Sequence, residues 1–292
     1  MARLEEFPEI VKYNEPLAPY AYLKVGGPAE MLVQPRSRAE LVAVVRRCLD
    51  EKLPLRVLGG GCNILVRDEG VAGVVLRLCE PAFTQVSCEG TRLRAGAGAA
   101  LSAVISAAAQ HGLAGLETMV GIPGTLGGAV RCNAGDRAGD IGQFIRRVEV
   151  LDHEGHEHVR EREELQFASG ASNLDDPVLV QVDLALELDN ADSIVKRMRK
   201  AWIHRKAAQP LSFQAAARVF RDPRGLHAAA LIEQANLGQT KVGGAQLSER
   251  DASCIVVHPG ASARDVLRLI DLVRSRVREQ FDVELELALS VW

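Results

Sequence analysis

The sequence predicts an α+β protein built from two parts. Strand-like runs alternate with short amphipathic helices up to about residue 190. Two glycine-rich loops interrupt that alternation, and a strongly basic helix then separates it from a last, differently composed stretch. The 292 residues are long for one compact domain and comfortable for two. Apolar residues make up 47% and charged residues 25%, as in ordinary soluble proteins. A net charge of -3 points to neither a nucleic-acid partner nor a membrane surface. The first sixteen residues, MARLEEFPEIVKYNEP, have no apolar signal region, and no run approaches the roughly 18 apolar residues a membrane span needs. The expected location is therefore cytoplasmic.

The elements follow in order. Residues 39–51 place Leu41, Val44, Val45, Cys48 and Leu49 on one helical face, behind a capping box of Ser37 and Glu40. Strands are expected at 55–58, 64–66 and 74–78. A helix at 101–111 carries the stripe Leu101, Val104, Ile105 and Ala108 and ends at Gly112. Residues 148–152 and 178–188 read as strands. Between them, the run from Asp152 to His158 holds three histidines (His153, His156 and His158) and reads as a hairpin turn rather than a metal site. The six cysteines include no CxxC pair, so neither zinc nor a disulfide framework is expected. The basic helix, 193–207, reads as a solvated linker, with a break at Pro210. Beyond it come a short helix at 226–235 and a strand at 254–257. A helix at 263–281 follows, capped by Ser262 and Asp265 and striped by Val266, Leu269, Ile270, Val273 and Val277. The last strand is expected at 283–291.

The chemistry lies in the loops. In Leu58-Gly-Gly-Gly-Cys-Asn-Ile-Leu-Val66, three glycines remove every Cβ, so the backbone can approach a ligand and aim several N–H groups at a phosphate. In Val120-Gly-Ile-Pro-Gly-Thr-Leu-Gly-Gly-Ala-Val130, four glycines, a proline and the Thr125 hydroxyl crowd into eight residues. Together the loops point to a dinucleotide. A rival, Gly96-Ala-Gly98, opens a helix after a strand. It lacks the third glycine, and Glu117 does not end a strand, which argues against a Rossmann-type NAD site.

The ordered set of motifs is more specific. Leu23-Lys-Val-Gly-Gly-Pro-Ala29, Gly59-Gly-Gly-Cys-Asn63, Gly112-Leu-Ala-Gly-Leu-Glu117, Gly121-Ile-Pro-Gly-Thr-Leu-Gly-Gly-Ala129 and Asn133-Ala-Gly135 come first. Gln209-Pro-Leu211, Pro223-Arg-Gly225, Leu231-Ile-Glu233 and Gly243-Gly-Ala245 follow. This series resembles the UDP-N-acetylmuramate dehydrogenase family, also called UDP-N-acetylenolpyruvoylglucosamine reductase, over nearly the whole chain. The resemblance implies an FAD-binding domain of the vanillyl-alcohol-oxidase (PCMH) type in two lobes, plus a C-terminal α+β substrate domain. It implies FAD as cofactor and NADPH as electron donor. The family reaction is reduction of an enolpyruvyl UDP-sugar on the way to peptidoglycan. Domains are expected at 1–80 and 81–190 (the two FAD lobes), 191–208 (a linker helix) and 209–292. The cofactor would be held by Gly59, Gly60, Gly61, Cys62, Asn63, Gly121, Ile122, Pro123, Gly124, Thr125, Gly127, Gly128 and Ala129.

At the reacting end the resemblance breaks down. Hydride addition to the alkene leaves charge beside a carboxylate, so a cation must stabilise it and an acid must deliver a proton. The family resemblance assigns these roles to an arginine in Phe-x-Tyr-Arg-x-Ser, a serine or cysteine in Ala-Gly-Ser-x-Phe-x-Asn-Pro, and a glutamate near the last strand. Here the first motif reads Phe167-Ala-Ser-Gly170-Ala-Ser172, with Gly170 in place of arginine. The second reads Ala216-Ala-Arg218-Val-Phe-Arg-Asp-Pro223, with Arg218 in place of the proton donor. A guanidinium is no usable acid. Ala288 stands in place of the glutamate, and Ala21 replaces a threonine. Ser172, Asn173, Glu284 and Glu286 lie nearby, but a shift of one residue on a strand turns a side chain to the other face. Three readings stay open: a flavoprotein that has lost the family activity, a reductase rerouted through residues such as Arg218, or a different flavin oxidoreductase that uses Arg218 on another anionic substrate.

Overall fold

The computed structural model describes residues 4–136, 139–208 and 215–292. They divide into two compact units. The first is drawn from Met1–Asn14, Glu30–Gly60 and Ala72–His204; the second from Glu15–Ala29, Gly61–Val71 and Arg205–Trp292.

Two sheets organise the first unit. One runs in the spatial order Val11–Pro16, Pro28–Val33, Val71–Leu76, Leu55–Val57, the last two paired in parallel. Helix α1 (Arg38–Asp50) buries Leu41, Val44, Val45 and Cys48 in a core with Met31, Val33, Val74 and Leu76. Ser37 caps it as expected, accepting from the Glu40 amide at 3.2 Å. The box is only half made, because the Glu40 carboxylate accepts from the Arg36 amide at 2.7 Å instead of reaching back to Ser37. A short α2 (Pro81–Thr84) leads to the second sheet, ordered Glu157–Glu161, Ile145–Leu151, Val178–Ala185, Arg92–Gly96, Val86–Glu89 and antiparallel throughout. The stripe of α3 (Leu101–Gln110) and the short α4 (Leu126–Arg131) fill a core with this sheet.

The histidine-rich turn is built on Asp152. Its Oδ1 accepts from the amides of Glu154 at 3.0 Å and His156 at 2.8 Å, closing the hairpin. The rival glycines also have a packing reason. A Cβ on Gly96 would stand 2.0 Å from the Phe83 carbonyl oxygen, and one on Gly98 would stand 1.7 Å from that of Leu78. Backbone crossing is enough to demand glycine at both. The basic stretch is helix α5 (Ala191–Ala208); Pro210 and the Gln209-Pro-Leu211 match lie outside the described residues.

In the second unit the antiparallel sheet runs Ala215–Arg218, Cys254–Val257, Ala245–Leu247, Lys241–Val242. Helices α6 (Ala228–Gln234) and α7 (Ala263–Phe281) pack on it. The box at α7 is complete, with Ser262 and Asp265 capping each other. Asp68 adds to it: its carboxylate accepts from the amides of Ala263 at 2.8 Å and Arg264 at 2.9 Å, tying 61–71 into this unit. The expected strand at 283–291 is mostly irregular. Leu285 and Leu289 are buried while Glu284 and Glu286 face out, yet only Ser290–Val291 forms a ladder, in parallel with Ile64–Leu65. Among the described residues no helix is long and apolar enough to cross a membrane.

Candidate functional site

The two glycine loops meet at Gly59. A Cβ there would stand 2.6 Å from the Thr125 hydroxyl, so a side chain at 59 would have to displace that hydroxyl for the first loop to lie against the second. Thr125 caps α4, its Oγ1 facing the Gly128 amide at 3.4 Å. The loop turns through Gly121 and Gly124, at φ 85° and 117°, where other residues are strained. Gly59, Thr125, Gly127 and Gly128 line one cavity together with Arg77 and Arg131, and its lining contains no acidic side chain among the described residues. That donor set suits a dinucleotide: open backbone, a hydroxyl and cations, with nothing to repel phosphate.

Several of the expected donors are already engaged. The Leu126 and Gly127 amides donate to the carbonyls of Ala99 and Ala97, each at 2.8 Å. Asn133 is likewise structural: buried, it donates to the Ala168 carbonyl at 2.9 Å and accepts from the Gly142 amide at 3.0 Å. The rest of the first loop belongs to the second unit. Gly61 has φ 67°, and a Cβ there would fall 2.2 Å from the Tyr20 carbonyl oxygen. The Gly61 carbonyl accepts from the Tyr22 amide at 2.9 Å, and that of Asn63 from Ser290 at 2.9 Å. Burial pushes the Cys62 thiol up to about 11, against a smaller opposing effect of Lys24, so it stays protonated near neutrality. Gly26 and Gly27 are forced by close backbone: their Cβ atoms would stand 2.6 Å from that of Val66 and 2.2 Å from the Asp68 carbonyl oxygen.

The three departing positions have distinct surroundings. Gly170 sits in a two-residue hairpin between Phe167–Ala168 and Ala171–Ser172. Its φ is 72°, and no atom lies within 4 Å of a Cβ built there. The neighbours that could stand in are occupied. Ser172 donates to the Arg131 carbonyl at 3.0 Å, and the Asn173 side chain bridges the Gln166 amide and the Glu164 carbonyl at 2.8 Å each.

In the second unit, Arg218 ends its strand with Nε 3.3 Å from the Phe220 carbonyl oxygen and Nη2 2.9 Å from Asp222 Oδ2. Burial alone would raise the Asp222 carboxyl. The Ala228 amide, Arg218 and His227 outweigh that and hold it below the usual carboxylate range. Ala288 lies beside this segment, its amide donating to the Val219 carbonyl at 2.7 Å. The fold therefore brings positions 218 and 288 together and fills them with a paired guanidinium and a methyl group. Two features went unread in the sequence. Asp222, where the family motif has asparagine, is one, and Arg131 is the other. The signal for Arg131 was a lone cation closing the run Gly127-Gly-Ala-Val-Arg131.

Comparison with known proteins agrees with this arrangement. Residues 209–292 match the model of the UDP-N-acetylenolpyruvoylglucosamine reductase C-terminal domain, and residues 29–159 match an FAD binding domain. A UDP-N-acetylenolpyruvoylglucosamine reductase of Moorella thermoacetica is 40% identical over 280 residues, covering 96% of this chain and 92% of the relative. One from Rhodopirellula baltica is 35% identical over 292 residues, covering 99% and 96%. The crystal structure of the Thermus caldophilus reductase superposes with a TM-score of 0.82 at 37% identity, covering 97% of this chain and 98% of that one. A cholesterol oxidase of B. sterolicum, 14% identical, shares the fold over 64% of this chain and 39% of its own, with a TM-score of 0.51.

Proposed function

The chain belongs to the FAD-binding UDP-N-acetylenolpyruvoylglucosamine reductase family, and from that premise we propose that it keeps the flavin site while no longer reducing the family's enolpyruvyl UDP-sugar. The carrying observation is the pair of adjacent positions 218 and 288. Where the reaction needs a proton donor and a carboxylate, the chain has Arg218, bound to Asp222 at 2.9 Å, and Ala288. A guanidinium cannot deliver the proton, and a methyl group can neither hold nor orient one. At the third position Gly170 brings no charge to balance the developing carbanion.

Arg218 is also a poor substitute for the lost arginine. Its charge is already matched by Asp222, so an incoming carboxylate would have to displace that partner. FAD, when bound, supplies the hydride carrier. Gly59, Gly60, Gly61, Cys62 and Asn63 of the first loop and Gly121, Ile122, Pro123, Gly124, Thr125, Gly127, Gly128 and Ala129 of the second would hold it. On this reading the protein works in the cytoplasm as a flavin-binding or UDP-sugar-binding relative of the peptidoglycan enzyme, with NADPH as the donor the resemblance implies.

The test is spectroscopic. Purified protein is expected to be yellow and to release FAD on denaturation. Mixed anaerobically with NADPH and then with the enolpyruvyl UDP-sugar, it should show no substrate-dependent return of the oxidised flavin band. Stoichiometric NADPH consumption driven by that sugar would overturn the proposal.

A further inference from the structure

We propose that Arg131 supplies the counter-charge for the diphosphate of the dinucleotide, in the cavity lined by Gly59, Thr125 and Gly128. The inference rests on the flavin-binding reading above and adds to it a residue that the glycine motifs do not include.

The first argument is one of donors. Loops of this kind are expected to grip phosphate with backbone N–H groups. Here the exit of the second loop has spent much of that capacity. The Leu126 and Gly127 amides donate to Ala99 and Ala97, the Ala129 amide donates to the Thr125 carbonyl at 2.9 Å, and the Gly128 amide faces Thr125 Oγ1. A diphosphate carries two negative charges and needs compensation from elsewhere.

The second argument is one of charge. The half-buried Arg131 guanidinium donates from Nη1 to the Leu174 carbonyl and from Nη2 to the Asp176 carbonyl, the latter at 2.6 Å. Neither acceptor carries a formal charge. The nearby Asp176 carboxylate is itself buried, and Arg160 holds it through two bonds, at 2.9 and 3.1 Å. Among the described residues Arg131 thus has no carboxylate partner of its own. Burial lowers its pKa from the usual arginine value, with Asp176, Cys132 and Asp175 opposing without outweighing it. A cation kept half out of water without a directly bonded counter-ion is costly unless an anion joins it. The two carbonyls fix the guanidinium in place, so its remaining N–H groups need no reordering to meet a phosphate oxygen.

The experiment compares wild type, R131Q and R131K, titrating each apoprotein with FAD, riboflavin and ADP. FAD and riboflavin are followed by flavin fluorescence and ADP by calorimetry. Glutamine removes the charge and shortens the side chain, while lysine keeps the charge without the planar fork. R131Q should weaken FAD and ADP roughly tenfold to a hundredfold, the range of one charge-assisted contact, and leave riboflavin unchanged. R131K should stay within a few-fold of wild type. Equal FAD affinity in R131Q and wild type overturns the inference and leaves the flavin reading intact. ADP binding that depends on Arg131, without any flavin uptake, overturns the flavin reading alone. Binding of neither overturns both. If R131Q does not fold, wild type decides: its FAD affinity must fall with added NaCl while that for riboflavin holds, and an FAD affinity indifferent to salt overturns the inference.

Discussion

Arg218 and Asp222 form an ion pair across four residues, Nη2 to Oδ2 at 2.9 Å. The motif that the sequence resembles has a serine or cysteine and an asparagine at these two positions; here two opposite charges face each other.

The pair is half-exposed and worth about 0.5 kcal/mol after solvent screening. A double-mutant cycle of R218S and D222N should return a coupling of that order in urea unfolding at pH 7. Because the Asp222 carboxyl is held low in the folded state, its contribution is present above the unfolded carboxylate range and is lost as pH falls through the folded value. The difference between wild type and D222N should therefore shrink steadily below about pH 4. A difference that grows on acidification would contradict this assignment.

Restoring arginine at position 170 should not be free. The position has φ 72°, which costs a side-chain-bearing residue about 1 kcal/mol. Thermal unfolding should rank wild type above G170N, and G170N above G170A and G170R, since asparagine tolerates this region best. Space is not the obstacle, because nothing lies within 4 Å of the added Cβ. A G170A as stable as wild type would show that the turn relaxes.

Asn133 joins the second glycine loop to the hairpin that carries Gly170, through Gly142 and Ala168. Both bonds are made by one buried side chain. N133A should lose about 2–3 kcal/mol in chemical denaturation, the cost of two orphaned backbone groups. N133D sets a buried carboxylate against the Ala168 carbonyl, so at neutral pH it should cost at least as much as N133A.

The glycines divide by mechanism, and stability separates them from binding. G98A places a methyl group 1.7 Å from a carbonyl oxygen and should destabilise by more than about 2 kcal/mol. G128A meets only Thr125 Oγ1, at 3.5 Å, and lies within a helix, so stability should hold or rise. Its effect should appear in FAD affinity, because Gly128 lines the cavity. A G128A variant with unchanged affinity would remove Gly128 from the cradle.

Periodicity revealed the helices well, because their stripes face real cores: Leu41, Val44 and Val45 in one unit, and Val266, Leu269 and Ile270 in the other. The motif series likewise carried the family. Local pattern could not reveal which backbone runs against which. Gly98 looks like a ligand-loop glycine in sequence; in the fold it is first a crossing point, and it also lines the cavity. Asn133 sits in a cofactor-loop motif and works as a clasp. Nor could it reveal that 15–29 and 61–71 cluster with the C-terminal residues, since Asp68 reaches the start of α7 from nearly two hundred positions away. Arg131 escaped notice for a similar reason: its meaning depends on Asp176 already being taken by Arg160.

The short ladder between Ile64–Leu65 and Ser290–Val291 also sets an order of events. The strand that leaves the first glycine loop gains its partner only from residues near the end of the chain. A growing polypeptide can form α1 and its sheet early, but the far side of that loop stays without its ladder until residues 290–291 have been made.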